Sequence, residues 1–171
     1  MFGSHKRQGR EAGVATRNTF ASVSAGTSLF TFGKGFEPTL SFLSESYVLA
    51  FSNTTINLMM KYVFKGESWA TGKMIEFQQA ALAEFSLDPR FVEAWLDLME
   101  SAKTDDDFAM GKDHASGVFF AMSGLISPAS ADPLAVKARE AARNLPPPAD
   151  FTQGMLWVTV REFLHRNYPA R

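Results

Sequence analysis

Asp88 to Phe108 reads DPRFVEAWLDLMESAKTDDDF, and its reading decides the fold class. An aspartate followed by proline is a helix start: the carboxylate accepts a free backbone N–H, and a first-turn proline has no N–H to lose. Phe91, Val92, Trp95, Leu96, Leu98 and Met99 then spread apolar surface around much of the circumference, which predicts a well-buried helix. Thr104 with Asp105, Asp106 and Asp107 opens the next helix, with its acids at the positive end of the helix dipole.

The same grammar extends outward through Pro38–Ile126. Pro38 opens a long first helix with a stripe through Leu40, Leu43, Tyr47, Phe51 and Leu58, continued by Met59, Tyr62 and Val63. The polar, β-branched Ser52–Thr55 cluster predicts a kink or break, and Lys65-Gly66 a glycine stop. Ser68 is the expected cap of a helix to Phe85, with Met74, Phe77, Ala81, Leu82 and Phe85 on one face. The helix begun at Thr104 and Asp105 becomes apolar on nearly every side from Gly117 to Ile126, where Gly117 and Ala121 suit close approach of another helix; Ser127-Pro128 is its expected end. Asp132-Pro133 starts a shorter helix to about Asn144, Pro146-Pro147-Pro148 is a stiff spacer, and Asp150 with Gln153 forms a capping box for the last helix. Asn167–Arg171 is expected to fray.

These signals predict an all-α, antiparallel bundle of about five to six helices, residues 36–171, as a single helical domain. Ahead of it, residues 1–35 read as a flexible, basic, Ser/Thr-rich arm. Thr19–Phe32 suggests either a short hairpin around Ala25-Gly26 or an irregular arm whose Phe20, Leu29, Phe30 and Phe32 pack on the body.

Composition narrows the function. The 171 residues hold 17 basic and 18 acidic side chains, so no net field draws the chain to nucleic acid, and none is expected as a partner. The absence of cysteine removes thiol chemistry and Cys-ligated zinc. No segment reaches the roughly 20 apolar residues of a membrane span; Ser46–Met60 and Ala115–Ala131 come nearest and read as buried helix. Sixteen Phe and eight Met supply bulk for a core, or for an apolar face turned toward a partner.

Motifs that would carry chemistry fail on spacing. Gly66 to Met74 resembles a phosphate loop but has five residues between its glycines, and Met74 where magnesium needs a hydroxyl. Asp105–Asp107 with Asp113 lacks the alternation, central glycine and closing glutamate of a calcium loop. His5, His114 and His165 lie far apart, without paired ligand spacing. His114, beside an apolar helix, could serve as a base, although a satisfied surface position explains it as simply. No catalytic, cofactor-binding or metal-binding residue is therefore expected, and no cofactor. The candidate interaction or core face comprises Phe77, Phe85, Phe91, Trp95, Met99, Phe119, Phe120 and Met122.

Lys65-Gly-Glu-Ser-Trp69, Ile75-Glu-Phe-Gln-Gln-Ala-Ala-Leu-Ala-Glu84 and Leu98-Met-Glu-Ser-Ala-Lys-Thr-Asp-Asp-Asp-Phe108 together resemble the phasin family over about Phe36–Pro148. The shared pattern is a long helix, a short Ala-Lys-Ser/Thr break with acids, a further helix and a proline-containing exit. This chain departs from it in its aromatic content and in the firm stops at Asp88-Pro89 and Asp132-Pro133. The resemblance implies a non-enzymatic, cytoplasmic structural protein that adsorbs to polyhydroxyalkanoate granules through apolar helical faces. The residues themselves equally suit a helical subunit or adaptor docked on another protein or on itself as a homo-oligomer, or a domain binding a small hydrophobic ligand among its Phe and Met side chains.

Overall fold

A computed structural model describes residues 4–86, 88–147 and 149–170. The architecture is all-α with one very small sheet. In chain order the elements are α1 (Ser4–Ala21), β1 (Phe30–Thr31), β2 (Gly35–Phe36), α2 (Leu40–Leu43), α3 (Ser46–Leu58), α4 (Thr71–Phe85), α5 (Pro89–Ala102), α6 (Asp106–Met122), α7 (Pro133–Asn144), α8 (Phe151–Leu156) and α9 (Glu162–Asn167). A π turn, Met59–Val63, extends α3, and a second, Trp157–Arg161, joins α8 to α9. The segments outnumber the five or six expected, chiefly because of α1 and the separate short α2.

The chain forms two compact units. The first comprises Met1–Asn18 and Pro38–Ala115, the second Thr19–Glu37 and Ser116–Arg171, so neither coincides with the expected arm 1–35 or domain 36–171.

In the first unit α3 is the central helix. Tyr47, Val48, Leu49, Ala50, Phe51, Ser52, Thr55 and Ile56 are all buried, the pattern of a helix enclosed on every side. No break occurs at Ser52–Thr55; the helix runs through these residues. The break falls earlier, at Ser44-Glu45, where the Ser44 hydroxyl donates to Leu40 O at 2.9 Å and Glu45 turns extended. Thr39 caps α2 by accepting from Phe42 N at 3.2 Å.

The flexible reading of residues up to Asn18 is corrected for 4–18, which are helical; Met1, Phe2 and Gly3 lie outside the described residues. Gly9, Ala12, Gly13 and Thr16 are buried on one side of α1, a helical period built from small residues instead of large apolar ones. A Cβ on Gly9 or Gly13 would collide with the carbonyl oxygens of Phe77 and Ala81, one turn apart on α4. Helix α1 thus packs backbone to backbone on α4. Gly111 of α6 meets Tyr47 O of α3 in the same way.

Several caps stand where the sequence places them. Asp88 accepts from Arg90 N at 2.9 Å, and the Arg90 guanidinium beside it holds its pKa below the usual aspartate value. Asp105 accepts from Ser46 Oγ at 2.8 Å and from Asp107 N at 3.0 Å, and the Ser46 donor lowers its pKa. Others differ. Lys65, not Gly66, takes the left-handed conformation after the π turn, at φ 53°. Gly66 is instead wedged beneath Met60 and the Trp69 ring. Helix α4 begins at Thr71 after Ala70, with no side-chain cap from Ser68.

In the second unit α7 and α8 cross most closely. A Cβ on Gly154 would strike Ala138 O and lie 3.0 Å from Ala142 Cβ. Met155, Val160, Phe163 and Leu164 line the C-terminal helical stretch, with Ala135 and Ala138 on α7 and Val118 and Phe119 on the end of α6. Helix α6 stops at Met122, before the expected Ser127-Pro128. Gly124 adopts φ +66°, which lets its N–H reach Ala121 O and the Leu125 N–H reach Phe120 O. Asp150 and Gln153 form the capping box of α8 as expected.

The arm contains a hairpin, displaced from Ala25-Gly26: Phe30 pairs with Phe36 and Thr31 with Gly35, around a turn in which Lys34 N donates to Thr31 O at 3.0 Å. Phe20 and Leu29 are buried, whereas Phe30 is partly exposed and Phe32, at the turn, is 96% exposed. The tail expected to fray is tied down: Ser28 N donates to Tyr168 O at 3.0 Å, and Thr27 bridges Pro169. Arg171 lies outside the described residues.

Candidate functional site

The candidate face divides by burial. Phe77, Phe85, Phe91 and Trp95 are core of the first unit, linked by edge-on ring contacts from Phe85 to Phe91 at 6.3 Å and from Phe91 to Trp95 at 5.2 Å. Met99 is half-buried. In the second unit Phe119 is buried against half-buried Phe120, their rings 5.6 Å apart. Met122 alone of the eight is exposed, at 63%, with Leu125 equally open three residues on.

His114 Nδ1 lies 3.0 Å from the hydroxyl of buried Tyr47, joining α6 to α3 inside the first unit. His5 packs edge-on against Trp69 at 4.4 Å. Among the described residues no group of three or more His, Asp or Glu side chains is gathered to hold a metal ion, and no helix is long and apolar enough to cross a membrane.

A feature with ligand-binding shape lies in the second unit. Ser22, Val23, Leu145, Pro146, Ala149, Gln153, Leu156, Trp157 and Arg161 line an open cleft of about 450 Å³. That volume falls within the roughly 300–1,000 Å³ of small-molecule sites. Pro148, the last residue of the expected proline spacer, lies outside the described residues.

Local chemistry explains the wall formed by Leu156, Trp157 and Arg161. The buried Thr159 hydroxyl donates to Met155 O at 2.6 Å, taking the carbonyl that an α-helical Thr159 N–H would use. Val158, Thr159 and Val160 are all β-branched, which further weakens regular α geometry. The chain widens there into the π turn, with the Glu162 N–H reaching back to Trp157 O. Trp157 is left 40% exposed, and the Arg161 guanidinium lies over its ring at 4.0 Å.

The cleft is apolar over most of its lining, through Val23, Leu145, Pro146, Ala149, Leu156 and Trp157. Its polar groups differ in how they are engaged. Ser22 Oγ donates to Thr19 O at 2.9 Å. Gln153 uses its carbonyl oxygen to accept from Asp150 N at 2.9 Å, which fixes the side chain and leaves its amide NH2 without an acceptor among the described residues. Arg161 has no ion pair among the described residues. Sequence reading identified the Asp150–Gln153 cap but not the cleft, whose walls come from Ser22-Val23 and from residues beyond 144. The available signal was Trp157 with Arg161 one turn later.

No protein-family model, curated protein or solved structure matches the chain.

Proposed function

We propose that this chain is a non-enzymatic helical binding protein whose second unit takes the apolar portion of a small molecule into the cleft beside Trp157. One observation carries the reading: an open, largely apolar cavity of about 450 Å³ with a half-exposed tryptophan on its wall. Phe77, Phe85, Phe91 and Met155, by contrast, are buried, and the cleft is lined by other residues. Arg161 and the Gln153 amide offer donors able to orient an end group, while the Ser22 hydroxyl proton is used on Thr19 O.

Each methylene transferred from water contributes about 0.8 kcal/mol, against the cost of immobilising the ligand, so octanol should bind with a dissociation constant on the order of 0.1–1 mM. Calorimetric titration of the whole chain with octanol tests this. One saturable site is expected, lost when Ala149→Trp fills the cleft. Octanol that fails to saturate, or that binds Ala149→Trp equally well, overturns it.

A second reading, adsorption to an apolar granule or protein surface as the phasin resemblance implies, draws on Phe32, Met122 and Leu125, all more than half exposed. Its test is a fluorescent fusion in a polymer-accumulating cell. Diffuse signal with granules present counts against it.

A further inference from the structure

We infer that the ligand of this cleft is an amphiphilic anion, an aliphatic chain ending in a carboxylate, with Arg161 reading the charge; the inference rests on the cleft being a binding site. Three observations converge on it.

The first is the state of Arg161. Three other cations of the second unit are engaged: Arg166 pairs with Glu162 at 3.0 Å, Lys34 lies 3.7 Å from Glu37, and Arg139 donates to Pro128 O and Ser130 O. Lys137 and Arg143 have no ion pair among the described residues, but neither lines the cleft; Arg161 does. Arg161 has neither an acid nor a hydrogen-bond acceptor among the described residues. Its contact is the Trp157 ring, which covers one face of the guanidinium and satisfies none of its N–H groups. Stacking fixes the plane of the fork while leaving its donating edge open. Glu162, adjacent in sequence, is committed to Arg166, and the Asp150 carboxylate accepts from Gln153 N at 2.9 Å.

The second is the sign of Gln153; the remaining polar side chain, Ser22, has its hydroxyl proton committed to Thr19 O. The Gln153 amide is held by its oxygen in the capping box, so what it offers is NH2. A cleft presenting a guanidinium and an amide donor complements an acceptor, and a planar carboxylate matches a single guanidinium fork. A phosphate dianion is a poorer match, since one cation half-compensates it.

The third is the remainder of the lining. Val23, Leu145, Ala149 and Leu156 offer no partner to a polar chain. At about 30 Å³ for each water-sized group, the cavity holds roughly 15 non-hydrogen atoms. That accommodates a medium-length alkyl chain with its head group.

The test is calorimetric titration of the full chain with octanoate, octanol and octyltrimethylammonium, below micelle formation, repeated with Arg161→Gln and Arg161→Lys. Discounted for partial exposure, one charge-assisted contact should make octanoate bind about tenfold tighter than octanol, with the cationic analogue weakest. Arg161→Gln is expected to bring the octanoate-to-octanol affinity ratio to about one, whatever the absolute affinities, and Arg161→Lys to restore part of the preference. A thermal melt by circular dichroism reports that each variant is folded. Equal affinity for octanoate and octanol, or a preference that survives Arg161→Gln, overturns the anionic assignment while the cleft stands. Failure of all three probes to saturate the wild-type chain removes the cleft reading, and this inference with it.

Discussion

Replacing Gly154 by alanine sets two physical effects against each other. Alanine is the better helix former by about 1 kcal/mol, so an isolated α8 would gain from the change. In the second unit, however, the added Cβ collides with the Ala138 carbonyl and touches Ala142 Cβ at 3.0 Å. A backbone oxygen cannot rotate out of the way, so α7 and α8 must separate by roughly 1 Å to recover ordinary contact. That opening weakens the packing of Ala135, Ala138 and Met155, which are at most 1% exposed. Overpacking of this kind costs about 1–3 kcal/mol, and a backbone obstacle belongs at the upper end. Net of propensity, Gly154→Ala should destabilise by about 2 kcal/mol, a fall of roughly 4–8 °C in melting temperature for a chain of this size. Circular dichroism melts with matching urea titrations measure it. A variant as stable as the parent, or more so, refutes the close α7–α8 crossing.

The remaining expectations use different readouts. Gly72→Ala, whose Cβ would meet nothing within 4 Å, should stabilise by about 0.4–1 kcal/mol in the same urea titration. Gly124→Ala has equally open space but must hold φ near +66°, so it should lose about 1–2 kcal/mol. Gly13→Ala should release α1 from α4, seen as lost hydrogen-exchange protection over residues 4–18 with α5 protection retained. Asp88 and Asp105 have depressed folded pKa values, so their stabilisation is fully present above the unfolded aspartate value of about 3.9 and is lost as pH falls through the folded values. Ser46→Ala removes the main cause of the Asp105 shift. Its stability deficit should therefore be largest at neutral pH and shrink in acid, whereas a pH-independent deficit contradicts the pairing.

The parts of the fold legible in the sequence were those written in caps and large apolar stripes. Asp88-Pro89, Asp132-Pro133 and the Asp150–Gln153 box work through bonds between residues two or three apart, which sequence displays directly. Helix α1 escaped because its buried side is Gly9, Ala12, Gly13 and Thr16. Such residues carry little transfer energy and become a helix face only when α4 supplies a complementary backbone. At Ser44 the hydroxyl and the backbone N–H share the Leu40 carbonyl before Glu45 turns extended, and at the π turn the Thr159 hydroxyl competes for Met155 O. Sequence shows that such competition is available but not which residue wins. The cleft was hidden for another reason: its lining joins Ser22-Val23 to residues more than a hundred positions later. The aromatic richness that drew attention to Phe77, Phe85, Phe91 and Trp95 marks a core.

The cleft assignment is tested most directly by amide and indole chemical-shift mapping of the isotopically labelled chain during titration with octanoate. Saturable shifts are expected at Val23, Leu145, Ala149, Leu156 and Arg161 and at the Trp157 indole N–H, with Phe32, Leu96 and Met122 unmoved. Shifts centred on those exposed apolar residues, or none that saturate, contradict it.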